Sequence, residues 1–171
     1  MREGGISMKR MTFIKVIALT TVAALGVITL ASSADAPSPF VGTWVLNISK
    51  STFDPGPPLK SHTFRIAQVR GGGFHETIDY VEGNGSAIHL DFTAAFDGKY
   101  VPLTGSAEAK SVSITQVNPT TVQYVFKKAK KRVEWGTFTV SDDGKTMQGA
   151  LSGKEADGTV WKYQYFFDRQ Q

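Results

Sequence analysis

The side chains of this sequence best suited to proton transfer or metal binding are its three histidines and a few nearby acids. The histidines are His62, His75 and His89. The acids considered with them are Glu76, Asp79, Asp91 and Glu134. A histidine or a pair of carboxylates can act as general acid and base, and a group of such ligands can hold zinc. The three histidines, Glu76 and Asp79 are therefore the candidates for an isomerase or a hydratase.

The spacing of these residues argues against a metal site or a catalytic pair. His75 and Glu76 are neighbours, so in a β-strand their side chains point to opposite faces of the sheet. If Asn84-Gly85 forms a two-residue turn, Tyr80 lies opposite His89 and His75 is too far along the strand to reach His89. The acids are expected on the solvated outer face. The sequence thus gives no reason to assign a catalytic residue, a metal or a cofactor.

The segments that would position these residues are short β-strands. From Ser38 onward the sequence alternates apolar and polar residues between glycine turns, without convincing helical periodicity. Four dipeptides are typical of tight hairpin turns: Asn84-Gly85, Asp97-Gly98, Asp143-Gly144 and Asp157-Gly158. The predicted strands are 41–47, 62–69, 74–81, 87–92, 112–117, 121–127, 132–140, 146–151 and 159–167. Short connections favour an all-β fold, an antiparallel up-and-down β-barrel of about 8 to 10 strands.

The last predicted strand has an aromatic face made of Trp161, Tyr163, Tyr165 and Phe167. If this face points inward, it either fills the barrel or lines a ligand cavity, and a barrel of about eight strands allows both. The candidate ligand-binding residues of the interior are Phe64, Phe92, Trp135, Trp161, Tyr163, Tyr165 and Phe167. In segment 132–140 the apolar phase changes at Gly136, which indicates either a bulge there or a strand that is apolar on both faces.

A basic cluster lies between two predicted strands, and so at a hairpin tip. Its members are Lys127, Lys128, Lys130, Lys131 and Arg132. Such a tip could contact an anionic surface such as lipid headgroups. It could equally be a solvated turn that discourages aggregation at a sheet edge.

The first 34 residues have the composition of a secretory signal peptide. Basic residues up to Lys15 precede an uncharged stretch, 16–31, and small residues follow it. This order is typical of a cleaved leader, and the stretch is shorter than the roughly 20 residues that a spanning helix needs. Cleavage before Asp35 or before Pro37 fits, and the first is preferred. We expect a secreted or periplasmic protein without a retained transmembrane helix, with one domain over residues 35–171.

Charge and cysteine content narrow the classes of function. The whole chain has 19 basic and 15 acidic residues, and residues 1–34 hold four of the former and one of the latter. The remainder carries 15 against 14, which gives no reason to expect nucleic-acid binding. The sequence has no cysteine, which excludes thiol catalysis and thiolate metal sites, and its core must hold without disulfides. We expect a monomer.

The start of the first strand, Gly42-x-Trp44, resembles the opening motif of lipocalins. The longer segments 42–57, 97–105 and 140–147 resemble a group of exported bacterial lipocalin-like proteins. The resemblance covers nearly all of residues 35–171. This resemblance implies a calycin-type barrel in which Trp44 plugs the closed end and Arg169 packs on the tryptophan. It implies no activity.

Three functions remain open from the sequence. The first is an exported protein that holds a small apolar or amphipathic ligand inside the barrel. The second is a packed barrel that acts as an interaction module through its basic hairpin tip. The third is an isomerase or hydratase at the mouth of the barrel, although no motif in the sequence favours an enzyme.

Overall fold

The computed structural model describes residues 37–155 and 157–171, so the predicted signal peptide, residues 1–34, lies outside the described residues. Eleven β-strands and a 3-10 turn at Ile48–Lys50 make up this part of the chain. The strands are β1 Gly42–Leu46, β2 Thr52–Asp54, β3 Ser61–Gln68, β4 Phe74–Val81, β5 Ala87–Ala94, β6 Asp97–Pro102, β7 Ser111–Asn118, β8 Thr121–Lys128, β9 Lys131–Val140, β10 Thr146–Lys154 and β11 Val160–Arg169. Within these residues the structure contains no helix with the length and hydrophobicity of a membrane span.

The strands form an antiparallel up-and-down barrel, as the sequence predicts. Strands β3 to β5 and β6 to β11 each pair with the next in sequence, and β1 joins β3 to β11. The three-residue strand β2 pairs only with β11. Asp91 of β5 forms one isolated bridge with Thr104, which follows the end of β6, so the barrel is nearly closed. Ten strands form its wall because short hairpins leave each strand beside its predecessor.

Three of the four predicted turn dipeptides lie in hairpin turns. Asn84-Gly85, Asp143-Gly144 and Asp157-Gly158 connect β4 to β5, β9 to β10 and β10 to β11. The prediction for Asp97-Gly98 was wrong, since both residues lie in β6. There they are part of an irregularity in the pairing with β7, and the φ of +79° at Gly98 is one that glycine adopts without strain.

The β4–β5 turn is one residue longer than predicted, and this changes which side chains meet. The amide of Glu82 donates to the carbonyl of Ser86, so three residues rather than two form the loop. His89 consequently lies opposite Asp79 instead of Tyr80. A shift of one residue moves every side chain to the other face of the sheet, which is why His89 points outward.

Strand β9 contains a bulge, three residues before the predicted position at Gly136. Phe126 pairs with Glu134 but Lys127 pairs with Arg132, which leaves Val133 as the extra residue. Gly136 is paired regularly on both sides. A glycine is nevertheless needed at position 136, because a Cβ there would lie 2.1 Å from the carbonyl oxygen of Ala150.

The two ends of the barrel differ. Alternate turns of an antiparallel meander share an end, so the β4–β5, β6–β7, β8–β9 and β10–β11 connections lie together at what we call the open end. At the opposite, closed end, Trp44 is fully buried and its indole N–H donates to the carbonyl of Phe40 at 2.8 Å. The Arg169 guanidinium lies over the Trp44 ring, 4.1 Å from its centroid. It also donates to the carbonyls of Val41 and Gly144.

Candidate functional site

A cavity of about 420 Å³ occupies the barrel next to its open end. Its mouth is formed by exposed residues of the open-end connections, among them Asn84, Glu108 and Glu155. Deeper walls are apolar and include Phe64, Ile78, Leu90, Phe138 and Leu151. The barrel is therefore packed at the closed end and hollow at the open end. The sequence allowed either a filled barrel or a ligand cavity, and the structure contains both.

The aromatic face of β11 runs from the mouth of the cavity down into the core. Trp161 and Tyr163 are partly buried, whereas Tyr165 and Phe167 are buried. The first three line the cavity, and Phe167 packs beneath it. Neighbouring rings pack in sequence, with 4.7 Å between the centroids of Trp161 and Tyr163. This face provides a continuous aromatic wall for a ligand.

The other predicted interior residues occupy different positions. Phe64 lines the cavity, and Phe92 is buried in the core without bordering it. Trp135 points outward, where the Arg132 guanidinium lies 4.0 Å from its ring centroid. The regular pairing at Gly136 and the bulge at Val133 place Glu134, not Trp135, on the inner face.

His62 is a polar side chain in the wall of the cavity. It is 6% exposed, and neither ring nitrogen has a hydrogen-bond partner among the described residues. Phe64 stacks on it at 4.7 Å, and Tyr80 and Tyr165 pack at 5.5 and 5.3 Å between ring centroids. Burial lowers the pKa of His62 to about 3, so the imidazole is neutral and offers one N–H and one lone pair.

A second buried titratable group lies below the cavity. Glu76 is fully buried, and the hydroxyl of Tyr124 donates to its Oε2 across the barrel at 2.7 Å. The other oxygen, Oε1, has no hydrogen-bond partner in the described part of the chain. Burial raises the pKa of Glu76 to about 8, although the hydrogen bond from Tyr124 favours the charged form. The expectation of a solvated outer-face acid was wrong for this residue.

Three further carboxylates lie around the mouth, and we call Glu82, Glu134 and Glu155 the acidic rim. Burial raises the pKa of Glu134 to about 7. Burial is also the largest cause of a raised pKa at Tyr80, and the negative charges of these three residues raise it further. The expectation of an outer-face acid was wrong for Glu134 as well. Alternation back from the buried Phe138 through Gly136 would have identified it as inward-facing.

The remaining candidates for chemistry lie on the outer surface. His89 Nδ1 contacts an Asp79 carboxylate oxygen at 2.6 Å, and Arg65 pairs with the same carboxylate. His75 Nε2 lies 2.9 Å from Asp91 Oδ2. Asp79 and Asp91 are thus outer-face acids, as expected. Within residues 37–155 and 157–171, no three histidine or acidic side chains are grouped closely enough to hold a metal ion.

The basic cluster lies at the tip of the β8–β9 hairpin, beside the open end. Three of its charges have partners in the structure. Lys127 Nζ lies 3.8 Å from the centroid of the Tyr100 ring, and Lys128 pairs with Glu108 at 3.3 Å. Arg132 stacks on Trp135. Lys130 and Lys131 are exposed.

Comparisons with known proteins bear on the fold. A point mutant of the fluorescent protein UnaG has a TM-score of 0.52 at 16% identity, covering 78% of this chain and 97% of that one. Wild-type UnaG gives 0.51 at 16% identity, covering 77% and 97%. EF1p2_mFAP2b bound to DFHBI gives 0.50 at 12% identity, covering 77% and 94%. No protein-family model and no curated protein sequence matches. The chain shares the antiparallel β-barrel fold of these structures and has a cavity at one end.

Proposed function

We propose that this protein holds a small apolar or amphipathic ligand inside its barrel. The observation that carries the proposal is the cavity of about 420 Å³ with apolar and aromatic walls. Small-molecule sites of proteins are typically cavities of about 300–1,000 Å³ of this character, with a few polar groups. EF1p2_mFAP2b, which has the same fold, binds DFHBI, and this is consistent with the proposal.

A substitution that fills the cavity tests this function. Ala109 is buried, lines the cavity and belongs to the β6–β7 connection. We expect the wild-type protein to bind N-phenyl-1-naphthylamine, an uncharged dye whose emission rises in apolar surroundings. Ala109→Trp should weaken this binding by at least about tenfold, because the indole occupies the space of the ligand.

The matched control places the same side chain outside the barrel. Ala150 is exposed on the outer face of β10, so Ala150→Trp should leave dye binding unchanged. Circular dichroism should show that both variants keep the β-sheet spectrum of the wild type. Equal dye binding by the wild type and by a folded Ala109→Trp protein would contradict the proposal.

We further propose that the protein is exported and belongs with the bacterial lipocalin-like proteins that its Gly42-x-Trp44 segment resembles. The composition of residues 1–34 supports export. Expressed in a bacterium, the protein from the periplasm or medium should have the intact mass of a chain that starts at Asp35. Ala34→Tyr should block cleavage, whereas Ala36→Tyr blocks only cleavage before Pro37. Full-length protein retained in the membrane fraction would contradict export.

A further inference from the structure

We infer that the ligand of this barrel is an organic cation, an amine carried on an apolar body, with its charge held among the acidic rim, His62 and Tyr80. This inference rests on the proposed function and adds the chemical class of the ligand.

The charge around the cavity is negative. The carboxylates that line it are Glu82, Glu108, Glu134 and Glu155. Among its described lining residues, the basic side chains are Lys154 and His62. Glu108 is paired with Lys128, which leaves the acidic rim facing one lysine. Opposite charges attract more strongly in a poorly solvated recess than in water. Entry into the cavity is therefore electrostatically favourable for a cation and unfavourable for an anion.

His62 is an independent sign that a polar ligand group enters the cavity. A buried imidazole that finds no partner among the described residues forfeits the hydrogen bonds it makes with water, which destabilises a buried polar group. Its neutral state supplies a lone pair that an ammonium N–H can donate to. It adds no positive charge that would repel a cation.

Aromatic rings connect His62 to the acidic rim. Tyr80 packs against His62. Burial is the largest cause of the raised pKa of Tyr80, and the three carboxylates of the acidic rim are close enough to raise it further. Burial and the charge of Glu134 act in the same direction on the pKa of Tyr165. Trp161 and Tyr163 complete the wall. Rings of this kind attract cations through their faces, most strongly where water is excluded.

An anionic ligand is the less favourable occupant. A carboxylate head would need a guanidinium or several N–H donors to replace its hydration. The arginine nearest the open end, Arg132, stacks on Trp135 outside the barrel. Lys127 lies over Tyr100, and Lys128 is paired with Glu108. The basic hairpin tip therefore does not supply a positive charge inside the cavity.

Three probes with the same alkyl chain test this inference. Decylamine, 1-decanol and decanoate carry charges of +1, 0 and −1 at pH 8, and each is titrated against the protein loaded with N-phenyl-1-naphthylamine. We expect decylamine to displace the dye at a concentration about tenfold or more below that required for decanoate, with 1-decanol between them. Glu134→Gln and Glu155→Gln should each reduce this preference several-fold and leave 1-decanol unchanged.

Asp142→Asn provides the matched control. It removes a carboxylate from the exposed β9–β10 turn at the closed end, and the preference for decylamine should persist. Displacement by decanoate as strong as by decylamine, or no displacement by decylamine while the dye is bound, would overturn the inference. Absence of dye binding would instead count against ligand binding itself, so the two failures are distinguishable.

Discussion

Glu76→Gln is expected to make the protein more stable than the wild type at pH 9 and nearly equal to it at pH 5. The carboxyl of Glu76 has a pKa near 4.5 when unfolded and about 8 in the buried site. The folded state therefore holds a proton that the unfolded state releases, and stability falls as the pH rises from about 4.5 to 8. This pKa difference corresponds to on the order of 5 kcal/mol. Glutamine keeps the shape and the acceptor for Tyr124 but cannot ionise.

Denaturation by guanidinium chloride at pH 5, 7 and 9 measures this effect. The difference between variant and wild type isolates Glu76 from other titrating groups, including Glu134 and His62. His62 acts on the acid side, where its lowered pKa makes stability fall as the pH drops from 6.5 to about 3. An advantage of Glu76→Gln that does not grow with pH would contradict the buried, protonated carboxyl.

Tyr124→Phe provides a second variant with an opposite expectation. It removes the hydroxyl that donates to Glu76, and so removes the interaction that favours the ionised carboxylate. The stability loss should then extend to higher pH than in the wild type. A profile that moves to lower pH would show that the hydroxyl does not stabilise the charge.

Trp44→Ala is expected to lower the free energy of unfolding by about 3–5 kcal/mol, the usual cost of removing a fully buried large aromatic side chain. Trp44 is fully buried at the closed end, where its N–H pairs with the carbonyl of Phe40 and its ring lies against Arg169. The truncation leaves an unpaired carbonyl and a void. Urea denaturation at pH 6, followed by circular dichroism, measures the loss.

Two other tryptophan variants separate burial from the residue type. Trp44→Phe keeps most of the ring and loses the hydrogen bond, so its cost should be clearly smaller than that of alanine. Trp135→Ala removes the same side chain from the outer face, where it stacks with Arg132, and should cost about 1 kcal/mol. Equal losses for Trp44→Ala and Trp135→Ala would show that the closed end does not depend on its tryptophan.

Much of the fold could be predicted from the sequence because it depends on local patterns. The 74–81 strand was predicted with its observed ends, and most other strands to within a few residues. Three Asn-Gly or Asp-Gly turns lie where their backbone preference places them. The alternation of residue types along β11 predicted which side chains share its aromatic face. These signals depend on a few adjacent residues, and the meander follows from short connections.

The candidate site was decided by tertiary structure. One extra residue in the β4–β5 turn pairs His89 with Asp79, and a bulge at Val133 accompanies an inward Glu134. Only the nearly closed barrel brings Tyr124 to Glu76 and leaves His62, within the described residues, without a hydrogen-bond partner in the wall of a cavity. The physical reason is the two-residue period of a strand. A single-residue change in register exchanges the inner and outer faces, and pairing across the barrel is needed to fix it.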